Sequence, residues 1–212
     1  MTTEAATGNM PPDYPVNFEV QRAATQSRLT NFPLGIGLFI REILLIPHLI
    51  ILYFLQIVAS IVYLIATVAI LFTGRYPRGL FNFFLGYQRW NLNMTGYLVS
   101  AYDKYPPFTM EAQADYPLTF DVEYPENLNR FLNFPILGLF IKLILLIPHM
   151  VILFFLILVA MIVLFIAQFA ILFTGSFPEG MHSFMVGVGR WSTRTNAYLY
   201  ALTDKYPPFS TE

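Results

Sequence analysis

Ile43-Leu-Leu-Ile-Pro-His-Leu-Ile-Ile-Leu-Tyr-Phe-Leu-Gln-Ile-Val-Ala-Ser-Ile-Val-Tyr-Leu-Ile-Ala-Thr-Val-Ala-Ile-Leu-Phe-Thr-Gly74 runs for 32 residues without a charge. A second window, Leu143 to Pro178, does so for 36. A spanning helix needs about 20 apolar residues. Straight helices of these lengths would measure roughly 48 and 54 Å, well beyond a hydrocarbon core of about 30 Å. Each window is too long for one upright crossing and short for two. All twelve Lys and Arg lie outside the two windows.

The rest of the chain agrees with a membrane protein. Of 212 residues, 56% are hydrophobic and only 12% charged, about half the charge of a soluble domain. Net charge is −1 and there is no cysteine. This excludes a disulfide scaffold, a disordered chain and a nucleic-acid binder. No basic segment followed by a short apolar run precedes residue 14, so no cleavable signal peptide is expected.

The chain is one unit written twice. Asp13-Tyr-Pro returns as Asp115-Tyr-Pro, Asn31-Phe-Pro33 as Asn133-Phe-Pro135, and Leu45-Ile-Pro-His48 as Leu146-Ile-Pro-His149. Residues 71–108 match 172–209 at 18 of 38 positions, ending in Asp-Lys-Tyr-Pro-Pro-Phe in both copies. The expected division is a polar tail over 1–12, a membrane repeat over 13–108, a linker over 109–114, a second repeat over 115–209, and a tail over 210–212. The fold class is an all-α membrane protein with short β-strands. Each repeat reads as a strand (Val16, Phe18, Val20; Leu118, Phe120, Val122), a long apolar hairpin or kinked span, and an amphipathic interfacial helix. Those last helices should cover about 79–102 and 180–203, and the diproline after each should lie extended against the body.

A single crossing per repeat splits the basic residues six against six across the membrane, whereas hairpins place all twelve on one side, as cytoplasmic loops prefer. Two short strands can also pair only if they share a side. Both points favour hairpins. Against them, 49–72 contains no Gly or Pro to make a tip. One kinked span per repeat, bent at Pro47 and Pro148, is the alternative. Arg41, Glu42 and Lys142, just inside the apolar edges, are expected to snorkel to the headgroups.

Few residues carry chemistry. His48 and His149 follow Pro at equivalent places. Related by a pseudo-two-fold axis, they could ligate one haem or chlorin, although a histidine at a kink more often bonds a carbonyl that proline has freed. Arg89-Trp90 and Arg190-Trp191 recur in mid-helix, a pairing suited to the lipid interface and to headgroup phosphate. Asp103-Lys104 and Asp204-Lys205 read as helix-end fixtures. No catalytic or metal site is expected, and there are no intramembrane charge pairs of the kind a transporter uses.

The combination Ile46-Pro-His48 … Ala69-Ile-Leu-Phe-Thr-Gly-Arg-Tyr-Pro-Arg-Gly79 … Arg89-Trp90 … Asp103-Lys-Tyr-Pro-Pro-Phe108 resembles a bacterial membrane family of unknown function, whose members carry the unit once or in tandem. The second copy departs from it with Ser176 and Glu179 in place of Arg75 and Arg78. The resemblance implies an integral protein of the bacterial cytoplasmic membrane. It brings no activity or cofactor with it. Apolar surface and missing chemistry point to a non-enzymatic accessory or scaffold subunit, its partners being lipids and either copies of itself or other membrane subunits. A hairpin wedge that shapes the membrane and a haem-binding electron-transfer subunit are the alternatives.

Overall fold

The computed structural model describes residues 14–212. The tail expected over 1–12, with Asp13, lies outside the described residues. Six elements follow in order: β1 (Val16–Val20), α1 (Ile36–Thr73), α2 (Arg78–Leu98), β2 (Leu118–Val122), α3 (Leu137–Thr174) and α4 (Glu179–Leu199). The chain is mostly helical, with a two-stranded sheet.

Each apolar window forms one continuous helix of 38 residues, not a hairpin. The reason is local. Between Pro47 and Gly74 nothing can turn the chain, so the helix runs on until glycine takes the left-handed conformation, φ +71° at Gly74 and +78° at Gly175. Pro47 and Pro148 are absorbed within α1 and α3. Both helices are long and apolar enough to cross a membrane.

The strands pair all the same, antiparallel, with Val16 opposite Val122 and Phe18 opposite Phe120. The return that this requires comes from α2, which packs back along α1, and from α4, which does so along α3. The carbonyls of Tyr97 and Tyr102, at the far end of α2, receive hydrogen bonds from Arg41 near the start of α1. An apolar helix leads out and an amphipathic helix leads back.

The elements form three layers. α1 and α3 pack only on α2 and α4; α2 packs on β2, and α4 on β1. Each strand therefore sits on the returning helix of the other repeat. α1 and α3 do not pack along their lengths, although Leu38 of α1 meets the cluster that holds Leu164, Ala167 and Ile171 of α3, and the outer faces of both stay bare: Ile50, Phe54, Ile57 and Ile61 on α1, Phe154, Phe155, Met161 and Ile162 on α3. Their inner stripes are small or shaped to fit, with Ala59, Ala66 and Ile70 fully enclosed.

Candidate functional site

Arg41 and Lys142 do not snorkel. Both side chains are wholly buried and turn inward. The Arg41 guanidinium donates to Thr30 O, Asn31 Oδ1 and the Asp103 carboxylate, besides the two tyrosine carbonyls. Lys142 donates to Asn133 Oδ1 at 2.6 Å, Tyr198 O at 2.8 Å and Asp204 Oδ1 at 3.4 Å. A buried cation left without a counter-charge is strongly unfavourable, and here the counter-charges come from 62 positions along the chain. Asp103 and Asp204 are thus the partners of the cations buried near the starts of α1 and α3, not fixtures for their neighbours. They also accept from the loops ahead of each long helix, at Ser27 N and Asn31 Nδ2 in one repeat and Asn129 N and Asn133 Nδ2 in the other.

His48 and His149 each sit in an aromatic cage of their own repeat. Trp90 Nε1 donates to His48 Nδ1, and Trp191 Nε1 to His149 Nδ1, both at 2.8 Å. Phe108 and Phe209 stack on the imidazole faces with centroids 3.8 Å apart, and Tyr105 and Tyr206 close the edges. A neutral imidazole that accepts at Nδ1 carries its proton at Nε2; among the described residues both Nε2 atoms are buried without a partner. The two rings are therefore not presented to one shared haem or chlorin, because each is enclosed separately and its accepting nitrogen is taken. The Tyr-Pro-Pro-Phe straps lie extended against the body as expected, anchored by Tyr105 Oη to Leu44 O and Tyr206 Oη to Leu145 O.

The Arg-Trp pairs are likewise turned inward. Both indoles are buried, and Arg89 and Arg190 clamp the strands. Arg89 donates to Phe120 O and Met110 O and pairs with Asp121 at 3.5 Å; Arg190 donates to Phe18 O and Thr211 O and pairs with Glu19 at 3.0 Å. The two arginines join the repeats, and the two tryptophans are held inside their own. Sequence alone suggested the interface because the strand carbonyls the arginines bond lie in another part of the chain.

Arg194, where the first repeat has Asn93, is the exception among the cations. Its side chain is inaccessible, and among the described residues its three nitrogens have no hydrogen-bond partner. The Tyr14 ring lies 5.7 Å away. Burial, aided by repulsion from Arg190, pushes its guanidinium below the usual arginine range. Glu19 and Tyr14 oppose that push only in part, and replacing a buried cation without hydrogen-bond partners among the described residues by an apolar group of similar length is stabilising. Arg194→Met is expected to gain roughly 1–3 kcal/mol, read as a higher melting temperature in mild detergent; a fall would mean that the arginine is satisfied in solution.

One feature that could accept a ligand is a cavity of about 560 Å³ between α2 and α4. Phe18, Val20 and Leu118 of the strands roof it, and Gln56 and Ile157 mark its margin on the long helices. Its walls carry Gln88, Asn91 and Thr95 from α2, and Ser192, Thr193 and Asn196 from α4. In sequence these polar residues read as the water-facing side of the amphipathic helices. The missed signal is that this side holds amides and hydroxyls in place of charges. Among the described residues there is no group of three or more His, Asp or Glu that could hold a metal ion.

A family model described as "Domain of unknown function (DUF4389)" matches residues 36–110 and again 137–211. The chain belongs to this family. Each DUF4389 unit here is a long helix, its returning helix and the Tyr-Pro-Pro-Phe strap, so the family match takes in both histidine cages and both buried cation pairs. The strands that join the two DUF4389 units lie outside the matched ranges. No curated protein and no solved structure matches the chain.

Proposed function

We propose that the protein is a non-enzymatic accessory or scaffold subunit, embedded in one leaflet of the bacterial cytoplasmic membrane, with α1 and α3 lying along the bilayer. One observation carries the placement. Trp90 bonds His48 and Tyr87 Oη bonds Gln56 Oε1, so Arg89 between them stands opposite the middle of α1. Its partner Asp121 has a side chain 72% exposed. The second repeat repeats the arrangement: Trp191 bonds His149, and the adjacent Arg190 pairs with a half-exposed Glu19. With α1 upright these carboxylates would lie near the centre of the bilayer, at a cost of several kcal/mol each. With α1 and α3 lying flat, the apolar layer meets hydrocarbon and the strand layer meets water. All twelve basic residues then fall on one side, which favours the cytoplasmic face.

In that place the bare outer faces of α1 and α3 serve association with lipid and with membrane subunits. The polar interior supports a structural role, since its histidines, its tryptophans and most of its cations are committed to holding the fold. A wedge made of two short hairpins loses its premise, because the apolar segments are continuous helices.

The absence of native cysteine makes the placement testable. Thr25 and Asn127 are exposed and equivalent in the two repeats, and each lies in the loop that touches the opposite end of the other long helix: Gln26 N donates to Gly175 O, and Leu128 N to Gly74 O. Thr25→Cys and Asn127→Cys are expected to react with an impermeant maleimide from the same side of the membrane. Labelling from opposite sides would overturn the in-plane placement. Extraction in mild detergent tests the accessory role: a lone monomer with nothing co-purifying would count against it.

A further inference from the structure

We propose that the cavity between α2 and α4 binds an uncharged single-chain amphiphile drawn from the bilayer, with its polar head among the amides and hydroxyls of the two helices and its chain directed toward α3. This goes beyond the accessory reading and does not depend on whether the long helices cross the membrane or lie in it.

Four features of the cavity carry the inference. Its volume of about 560 Å³ is that of a small-molecule site. None of the described residues lining it is charged or is a histidine, so a carboxylate, phosphate or ammonium head would enter without a counter-charge, at a prohibitive desolvation cost. The polar groups that do line it are partly unspent. Asn91 Nδ2 is used on Tyr87 O and Thr193 Oγ1 on Gly189 O, but the side chains of Gln88, Thr95, Ser192 and Asn196 make no hydrogen bond within the described residues. They offer donors and acceptors from both walls to one head.

The fourth feature is the way in. The contacts across this space are local, with Tyr63 of α1 and Phe84 of α2 set against Tyr200 just after α4, and α1 and α3 are not packed together along their lengths. Ile157, Met161 and Leu164 of α3 continue the lining toward the apolar layer, and Ile157 and Met161 are also exposed on that helix. The gradient from amide-rich walls to an apolar margin matches an amphiphile in orientation as well as in size. The margin is uneven: α3 contributes four apolar residues where α1 contributes only Gln56, which is already hydrogen-bonded to Tyr87. That asymmetry gives the chain of the ligand one direction to follow in an otherwise two-fold site.

The test uses the full chain in lipid nanodiscs, with monoolein, a decyl-substituted benzoquinone and oleate as probes, and bound probe counted by native mass spectrometry. At least one of the two neutral probes is expected to saturate near one per chain, and oleate to bind at least tenfold more weakly. The neutral probe that binds distinguishes a glycerol head from a ring head. The double substitution Gln88→Leu with Asn196→Leu is expected to weaken binding tenfold or more, and Ala160→Trp, which fills the margin, to abolish it. Unchanged melting of the probe-free variants shows that folding is intact. If a variant fails to fold, the milder Ser192→Ala with Thr95→Val, expected to weaken binding severalfold, replaces it. Saturation by neither neutral probe, equal binding of oleate, or binding unaffected by the substitutions would each overturn the proposal.

Discussion

Asp103→Ala is expected to destabilise the protein by about 3 kcal/mol, measured by thermal or denaturant unfolding in mild detergent. The substitution leaves the Arg41 guanidinium wholly buried, with carbonyl and amide oxygens but no counter-charge. Removing one partner of such a pair typically costs about 3–5 kcal/mol. The lower end applies because the Asp103 side chain is 24% exposed and its charge is partly screened. The double change Arg41→Met with Asp103→Ala should recover most of the loss, since it removes the uncompensated charge. Asp204→Ala should cost less than Asp103→Ala. Its partner is Lys142, and an ammonium can give up a proton where a guanidinium cannot. Equal losses at the two sites, or no recovery in the double variant, would show that loop anchoring by the carboxylates dominates over charge pairing.

Trp90→Ala is expected to be at least as severe, at about 3–5 kcal/mol, because it empties the centre of a cage. It removes the donor to His48 Nδ1 and the edge contacts to His48 and Phe108 together. Trp90→Phe keeps most of the volume and leaves an unsatisfied imidazole nitrogen, which costs roughly 1–3 kcal/mol. The second cage has the same geometry, with Trp191 to His149 at 2.8 Å and Phe209 stacked at 3.8 Å. Trp191→Ala should therefore cost nearly the same. A much smaller cost in one repeat would mean that its strap is held by something other than the cage.

Much of this architecture is legible in the sequence because it is written locally. The strand alternation at Val16, Phe18 and Val20, the helix stops at Gly74 and Gly175, the extended straps and the duplication all rest on neighbours within a few residues. The single continuous helix was legible too, in the lack of any turn-forming residue over 49–72. The distribution of basic residues weighed against it only because a returning path had to be apolar if every pass crossed the bilayer. What sequence could not supply is the identity of distant partners. Arg41 looked stranded at an apolar edge because Asp103 is a helix and a half away, and Arg89 looked lipid-facing because its acceptors lie on a strand of the other repeat. His48 invited a ligand for the same reason. A Trp 42 residues on and a Phe 60 residues on fill the space a ligand would need. The cavity was hidden among polar positions that pattern alone assigns to water.

The exchange of strands between repeats also fixes an order of events. β1 is synthesised long before its helix, α4, and Arg190 bonds the carbonyl of Phe18 across 172 positions. Until that helix emerges, β1 can pair with β2, which rests on α2, but its own packing surface is missing, and a two-stranded ribbon gains its stability from such packing. The strand ahead of the first DUF4389 unit thus waits for the last helix of the second, and α4 locks β1. A chain carrying one unit would face the same unfinished state, and a second molecule related by a two-fold axis would complete it.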